Sequence, residues 1–177
     1  MRSEYVLKEA LSFALNRRVY LISSGRHSAV YSTRKKEDEG WIYLVTFSPH
    51  ADLKRFIWKK WGLEDETAFK EIEYYGDKFT IQKVRRMQPF EVKARTCYPY
   101  LYEQYNAICE TIIELGRSFD GDDLIEAIEQ NPLIDNQHAA LFEVFRDWGD
   151  LWEDCIEQNF MIYNCVLYPI DAINYLP

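Results

Sequence analysis

The spacing of apolar positions changes character twice along the chain. In residues 4–17 (EYVLKEALSFALNR), Val6, Leu7, Ala10, Leu11, Ala14 and Leu15 recur at helical intervals and predict a short amphipathic helix. Short β-branched and aromatic runs then take over. Residues 19–22 and 28–32 predict two strands around a turn at 23–27, and residues 41–47 (WIYLVTF) predict a third. Residues 52–61 (DLKRFIWKKW) read as a basic, aromatic helix closed by Gly62. Two further strands, 69–75 and 78–87, flank a Gly76-Asp77 turn. The charged run 34–40 reads as a solvated hairpin loop, 64–66 as an acidic loop, and Gln88-Pro89-Phe90 as a linker.

Helical spacing returns after the linker. Residues 98–117 carry a stripe of Leu101, Tyr105, Ile108, Ile112 and Leu115. Residues 122–130 form a short helix ended by Asn131-Pro132. Residues 136–153 read as one amphipathic helix through Leu141, Val144, Phe145, Trp148 and Leu151. The chain closes on two short apolar runs around Asn164, a hairpin. This order predicts an α+β chain in two parts: a β-rich part at 1–88 with five strands and one helix after the third, and a helical part at 89–177 ending in the hairpin.

Composition narrows the function classes. With 177 residues, 47% of them hydrophobic, the chain can build one sizeable core or two small ones. Its 13 Tyr and 5 Trp supply core and also suit a protein-binding face. A net charge of -8 disfavours direct binding to nucleic acid or anionic membrane, although a nucleic-acid mimic would share that acidity. Cys97, Cys109, Cys155 and Cys165 form no C-x-x-C pair and lie far in sequence from His27, His50 and His138. No zinc site, haem or disulfide is expected, and reduced thiols in a cytoplasmic protein are the default. No run resembles a signal peptide or a membrane span.

The candidate chemistry lies near the end. Asp154 is followed five residues on by Asn159, and Asn159 twelve residues on by Asp171, with Asn164 between. Asp154 is a candidate general base, or a residue capping a helix end. Asn159 and Asp171 are candidate Mg²⁺ ligands through hard oxygens, or hairpin-end residues. Upstream, Ser24-Gly25-Arg26-His27-Ser28-Ala29-Val30-Tyr31-Ser32 forms a turn between two strands. Lys83, Arg85 and Arg86 form a candidate basic patch.

Together these segments resemble the protein-kinase-like fold, and more narrowly the early serine/threonine kinases of short-tailed lytic phages. The segment 24–32 resembles the phage form of the glycine-rich loop. Asp154, Asn159 and Asp171 follow the order of catalytic base, metal-binding Asn and metal-binding Asp. The resemblance implies a small β lobe and a helical lobe, with Mg-ATP held by Ser24, Gly25, Arg26 and Ser28 over the phosphates. Asn159 and Asp171 would hold the metal.

The chain departs from that pattern in several places. Leu44 stands where the third strand should carry its phosphate-pairing Lys, and the helix at 52–61 contains no Glu to pair with it. Gly25 is the loop's one glycine. Ile156 replaces the usual cation of the catalytic loop, and Ala172-Ile173 follows Asp171 where a Gly is expected. Arg26, Lys35 and Lys36 are candidate substitutes for the missing charge.

These losses lead to a reading as a degenerate, pseudokinase-type protein that binds and modulates a host protein, such as transcription machinery or a defence system. A minimal active kinase and an acidic nucleic-acid mimic, with carboxylates at 120–129 and 147–157, are the alternatives.

Overall fold

The computed structural model describes residues 4–24, 28–47, 51–74, 76–90, 97–116, 118–149, 151–170 and 173–175. The chain is α+β and divides into two compact units, Met1–Arg86 and Met87–Pro177. Among the described residues, no helix is long and apolar enough to cross a membrane.

The first unit is a five-stranded antiparallel sheet with helices. Its elements are α1 (Glu4–Leu15), β1 (Tyr20–Ser24), β2 (Ser28–Ser32), β3 (Trp41–Phe47), α2 (Ala51–Lys60), β4 (Lys70–Tyr74) and β5 (Asp77–Arg85). The strand order is β1-β2-β3-β5-β4. Alternation along β3 and β5 divides the sheet into two faces. Tyr43, Val45, Phe79 and Ile81 join Leu7, Ala10 and Leu11 of α1 in one core. The other face carries Leu44, Thr46, Gln82 and Val84, all buried, and α2 packs on β5 with Ile57 and Trp58 buried. Gly62 ends α2 in the left-handed region (φ 68°), where its own N–H and that of Leu63 reach back to Lys59 O and Trp58 O.

The run 34–40, expected to be a solvated loop, contains the most highly bonded carboxylate described in this unit. A 3-10 turn at Lys36–Asp38 drives Asp38 inward to 5% exposure. Its Oδ2 accepts from Arg17 Nη1 at 2.9 Å and from the Thr33 hydroxyl. Its Oδ1 accepts from Tyr43 Oη at 2.9 Å and lies 3.1 Å from Lys83 Nζ. Those four partners come from the segment after α1, from both sides of the β2–β3 turn, and from β5. Partners 17 and 83 are distant in sequence, and an acidic residue among cations looks solvated until they arrive.

The second unit contains β6 (Gln88–Pro89), α3 (Pro99–Glu114), α4 (Gly121–Gln130), α5 (Asn136–Phe142), β7 (Leu151–Glu153), β8 (Met161–Tyr163), β9 (Val166–Tyr168) and β10 (Ile173–Tyr175). Three strands pair in the order β6-β8-β9, and β7 pairs with β10. Gln88 and Pro89, expected as a linker, are therefore strand. Phe90 behind them is 2% exposed and meets Tyr105, which meets Phe160, with ring centroids 5.0 Å apart in each pair. The pull on this segment is burial of Phe90, which a single residue in a polar stretch does not announce.

Residues 136–153 do not form one helix. α5 stops at Phe142, a 3-10 turn covers Glu143–Phe145, and Leu151–Glu153 is strand. The start of α4 causes the break. Gly121 N donates to Trp148 O at 2.8 Å, and a Cβ on Gly121 would lie 1.7 Å from Phe145 O, so only glycine lets the two segments meet. Leu151 then exchanges backbone bonds with Phe119 and pairs with Tyr175.

The Asp38 cluster fixes a pH dependence. Burial opposes the charge on Asp38, but hydrogen bonds from Thr33, Lys83 and Tyr43 and the charge of Lys83 outweigh it and hold the carboxyl below its ordinary value of 3.8. The stability this contributes is present above the ordinary value and is lost as pH falls through the lowered one. Asp38→Asn should cost about 3 kcal/mol at pH 7. In urea unfolding, the gap between wild type and Asp38→Asn should narrow as pH falls below 3.8. Glu64, raised by burial, works in the opposite sense in both proteins and cancels from the gap.

Candidate functional site

The segment 154–159 lies between β7 and β8. It leaves β7 as a tight bend, with Ile156 N donating to Asp154 O at 2.8 Å, and closes in a 3-10 turn at Glu157–Asn159. Asn159 Nδ2 reaches back five residues to the same Asp154 carbonyl, also at 2.8 Å. Sequence spacing thus brings Asp154 and Asn159 into contact, through the backbone of one and the side chain of the other. Asp154 follows a strand, so the expectation that it caps a helix end is corrected. It is half-buried, and among the described residues its carboxylate has no hydrogen-bond or ion-pair partner. With Nδ2 committed, Asn159 keeps only Oδ1 as a hard oxygen for a cation.

The hairpin after this segment is set by backbone chemistry and by a buried histidine. Asn164 and Cys165 take φ of 50° and 63° at the two central positions of the β8–β9 turn. His138 of α5 is 1% exposed. Its Nε2 accepts from Leu167 N of β9 at 3.1 Å, so Nδ1 carries the proton and donates to Asp135 Oδ1 at 3.0 Å. Asp135 also caps α5 by accepting from His138 N at 2.8 Å. His138 was read only as too remote from the cysteines to ligate zinc; its burial against β9 leaves no trace in sequence spacing.

Cys155 lies beside Asp154 and is held as a neutral thiol. Its thiol hydrogen-bonds to Cys109 of α3, and that contact, burial, and the charges of Glu153 and Asp154 all push its pKa up. A thiol held neutral in this way is a poor attacker. Tyr105 joins the same chain of contacts, its pKa raised by burial and by Cys109.

The upstream residues fall in the first unit. Ser24 ends β1, exposed, opposite Ala29. Ser28 opens β2, half-buried, opposite Thr46. Gly25, Arg26 and Asp171 lie outside the described residues. Leu44 is 6% exposed and paired with Gln82 across β3–β5. Near it Gln82 Nε2 meets Glu64 Oε1 at 3.4 Å, while Thr46 Oγ1, Gln82 Oε1 and Glu64 Oε2 are buried without a partner among the described residues. Also among the described residues, no group of three His, Cys, Asp or Glu is placed to hold a metal ion. No family model, curated protein or solved structure matches the chain.

The Asn159 clamp is directly testable. Asn159→Ala should lower stability by about 1 kcal/mol, seen as a reduced urea midpoint at unchanged slope. Asn159→Asp should cost at least as much, because it sets an acceptor against the Asp154 carbonyl. Equal midpoints in all three proteins would remove the clamp.

Proposed function

We propose that this chain is a kinase-like scaffold that no longer transfers phosphate and acts by binding another protein. Position 44 carries the reading. Where the resemblance expects a lysine facing nucleotide phosphates, Leu44 is buried, with Gln82 as its cross-strand neighbour. Lys83, one residue further along β5, faces the opposite side of the sheet and is engaged by Asp38 and Asp65. The helix after β3, α2, contains no Glu. Phosphoryl transfer relies on positioning and on neutralising the charge of the triphosphate, so loss of such a cation costs orders of magnitude in rate. The donors on this face do not suit Mg-ATP.

Two observations support the scaffold half of the proposal. The first unit runs through five antiparallel strands with its helix after the third, and the second presents the clamped Asp154–Asn159 segment before a hairpin.

The binding half rests on surface chemistry. Met87–Pro177 holds 4 Lys and Arg against 17 Asp and Glu. Tyr100 and Leu133 are 49% and 68% exposed at one corner, where Gln104, a turn along α3 from Tyr100, bonds Leu133 O. Apolar side chains set in an acidic surface suit a basic protein surface. By the resemblance, the partner would be a host factor such as transcription machinery or a defence protein.

One observation favours a second reading, an acidic mimic that occupies a DNA-binding protein. α4 exposes Asp122, Asp123, Glu126 and Glu129, and among the described residues the one cation paired with any of them is Arg146, on Asp122.

Thermal unfolding with and without Mg·ATP tests the proposal. A ligand of the folded state at ~100 times its dissociation constant adds about 2.7 kcal/mol of stability. The proposal predicts no Mg²⁺-dependent rise in midpoint at millimolar nucleotide. A rise that needs Mg²⁺ and disappears in Asp171→Ala would contradict it and favour a minimal kinase with Asp154 as base.

A further inference from the structure

The first unit has the opposite charge balance to the second: 17 Lys and Arg against 12 Asp and Glu. Part of that excess gathers at one place. An open cavity of about 370 Å³ lies at the β2–β3 turn, lined among others by Thr33, Arg34, Lys35, Lys36, Trp41 and Arg86. Its carboxylates are Asp38 and Glu39. Asp38 is already matched by Arg17 and Lys83, which leaves four cations facing Glu39 alone. Among the described residues, none of Arg34, Lys35, Lys36 and Arg86 forms an ion pair.

From this we infer that the cavity at the β2–β3 turn is a binding site for a compact oligophosphate.

Three features separate the place from an ordinary solvated loop. First, the loop is held in shape. Asp38 fixes its inner end, Thr33 Oγ1 accepts from Lys35 N at 3.3 Å, and Arg86 N donates to Gly40 O at 2.9 Å. A ligand therefore meets cations that are already gathered, and loses less affinity to ordering them. Second, the Arg34 guanidinium is backed by a ring. Arg34 stacks on Tyr20 at 4.4 Å; Arg85, which does not line the cavity, covers the cavity-lining Trp41 at 3.9 Å. Stacking limits where an arginine head can go while its N–H fork stays available to phosphate oxygens. Third, the chain as a whole is at -8, so a long polyanion passing beyond the cavity would meet repulsion that a short one avoids. Size and charge together favour a few linked phosphates over an extended nucleic-acid strand.

The test is calorimetric titration of the full chain with sodium tripolyphosphate, without Mg²⁺, at about 0.1 M salt. The expected result is saturable binding that weakens about tenfold or more in Lys35→Ala/Lys36→Ala and again in Arg86→Ala, and that fades at about 1 M salt. Lys59→Ala/Lys60→Ala removes two exposed cations from α2 and should leave affinity unchanged. All these side chains are exposed, so the variants should fold. No saturable binding by wild type overturns the inference, as does equal weakening in the α2 variant. Tighter binding of single-stranded DNA than of tripolyphosphate would also overturn it, since the site would then serve a long polyanion. Omitting Mg²⁺ and using these variants separates this site from any nucleotide site that depends on Asp171.

Discussion

A buried carboxylate sets the terms for the first unit. Taking Asp38 out of water costs several kcal/mol unless charge and hydrogen bonds replace the lost solvation. Arg17, Thr33, Tyr43 and Lys83 supply that replacement, one pair on each oxygen. Each partner is thereby held in place. Arg17 brings the end of α1 to the sheet, Thr33 and Tyr43 close the β2–β3 turn, and Lys83 commits β5 to that face. The hydroxyl of Tyr43, its pKa raised by burial and by Asp38, remains a donor throughout. Functional consequences follow on both sides of the sheet. Lys83, next to the cross-strand partner of Leu44, is engaged by Asp38, and Arg34, Lys35 and Lys36 of the turn are exposed.

The second unit uses neutral polar contacts for similar ends. His138 joins α5 to β9, Gln104 and Asn131 tie the α4–α5 connection to α3, and Asn159 closes the segment that begins at Asp154. These contacts order a loop and a hairpin without spending the carboxylate of Asp154. An open carboxylate on an ordered loop is what a general base needs, and equally what a surface that recognises a basic partner needs. The proposed function takes the second role, because Leu44 rather than a cation stands at the expected phosphate-pairing position of β3.

Elements whose cause is local were legible in the sequence. Short β-branched and aromatic runs between turns gave the five strands, and helical spacing gave α1, α3 and α4 close to their observed bounds. Asn164 at the centre of two apolar runs gave the β8–β9 turn; the bond from Asn159 to the Asp154 carbonyl was not legible, because the interval between them points equally to metal-site or turn residues. What failed has a distant cause. The stripe Leu141, Val144, Phe145, Trp148, Leu151 fits a helix as well as it fits the observed break, and the start of α4 and strand β10 decide between them. Asp38 looked solvated because its counter-charges lie 21 and 45 residues away in the chain. Phe90 looked like linker because its ring partner Tyr105 comes from α3 and Phe160, whose carbonyl accepts from Phe90 N, from the segment before β8.

Transfer of the γ-phosphate of Mg·ATP, to the chain itself and to a Ser/Thr-containing test protein, by wild type and by Asp154→Ala, separates a scaffold from an enzyme. A scaffold kept for contact gives the same background in both. Turnover by wild type that falls by orders of magnitude in Asp154→Ala would contradict it and make the chain a working kinase without the lysine of its third strand.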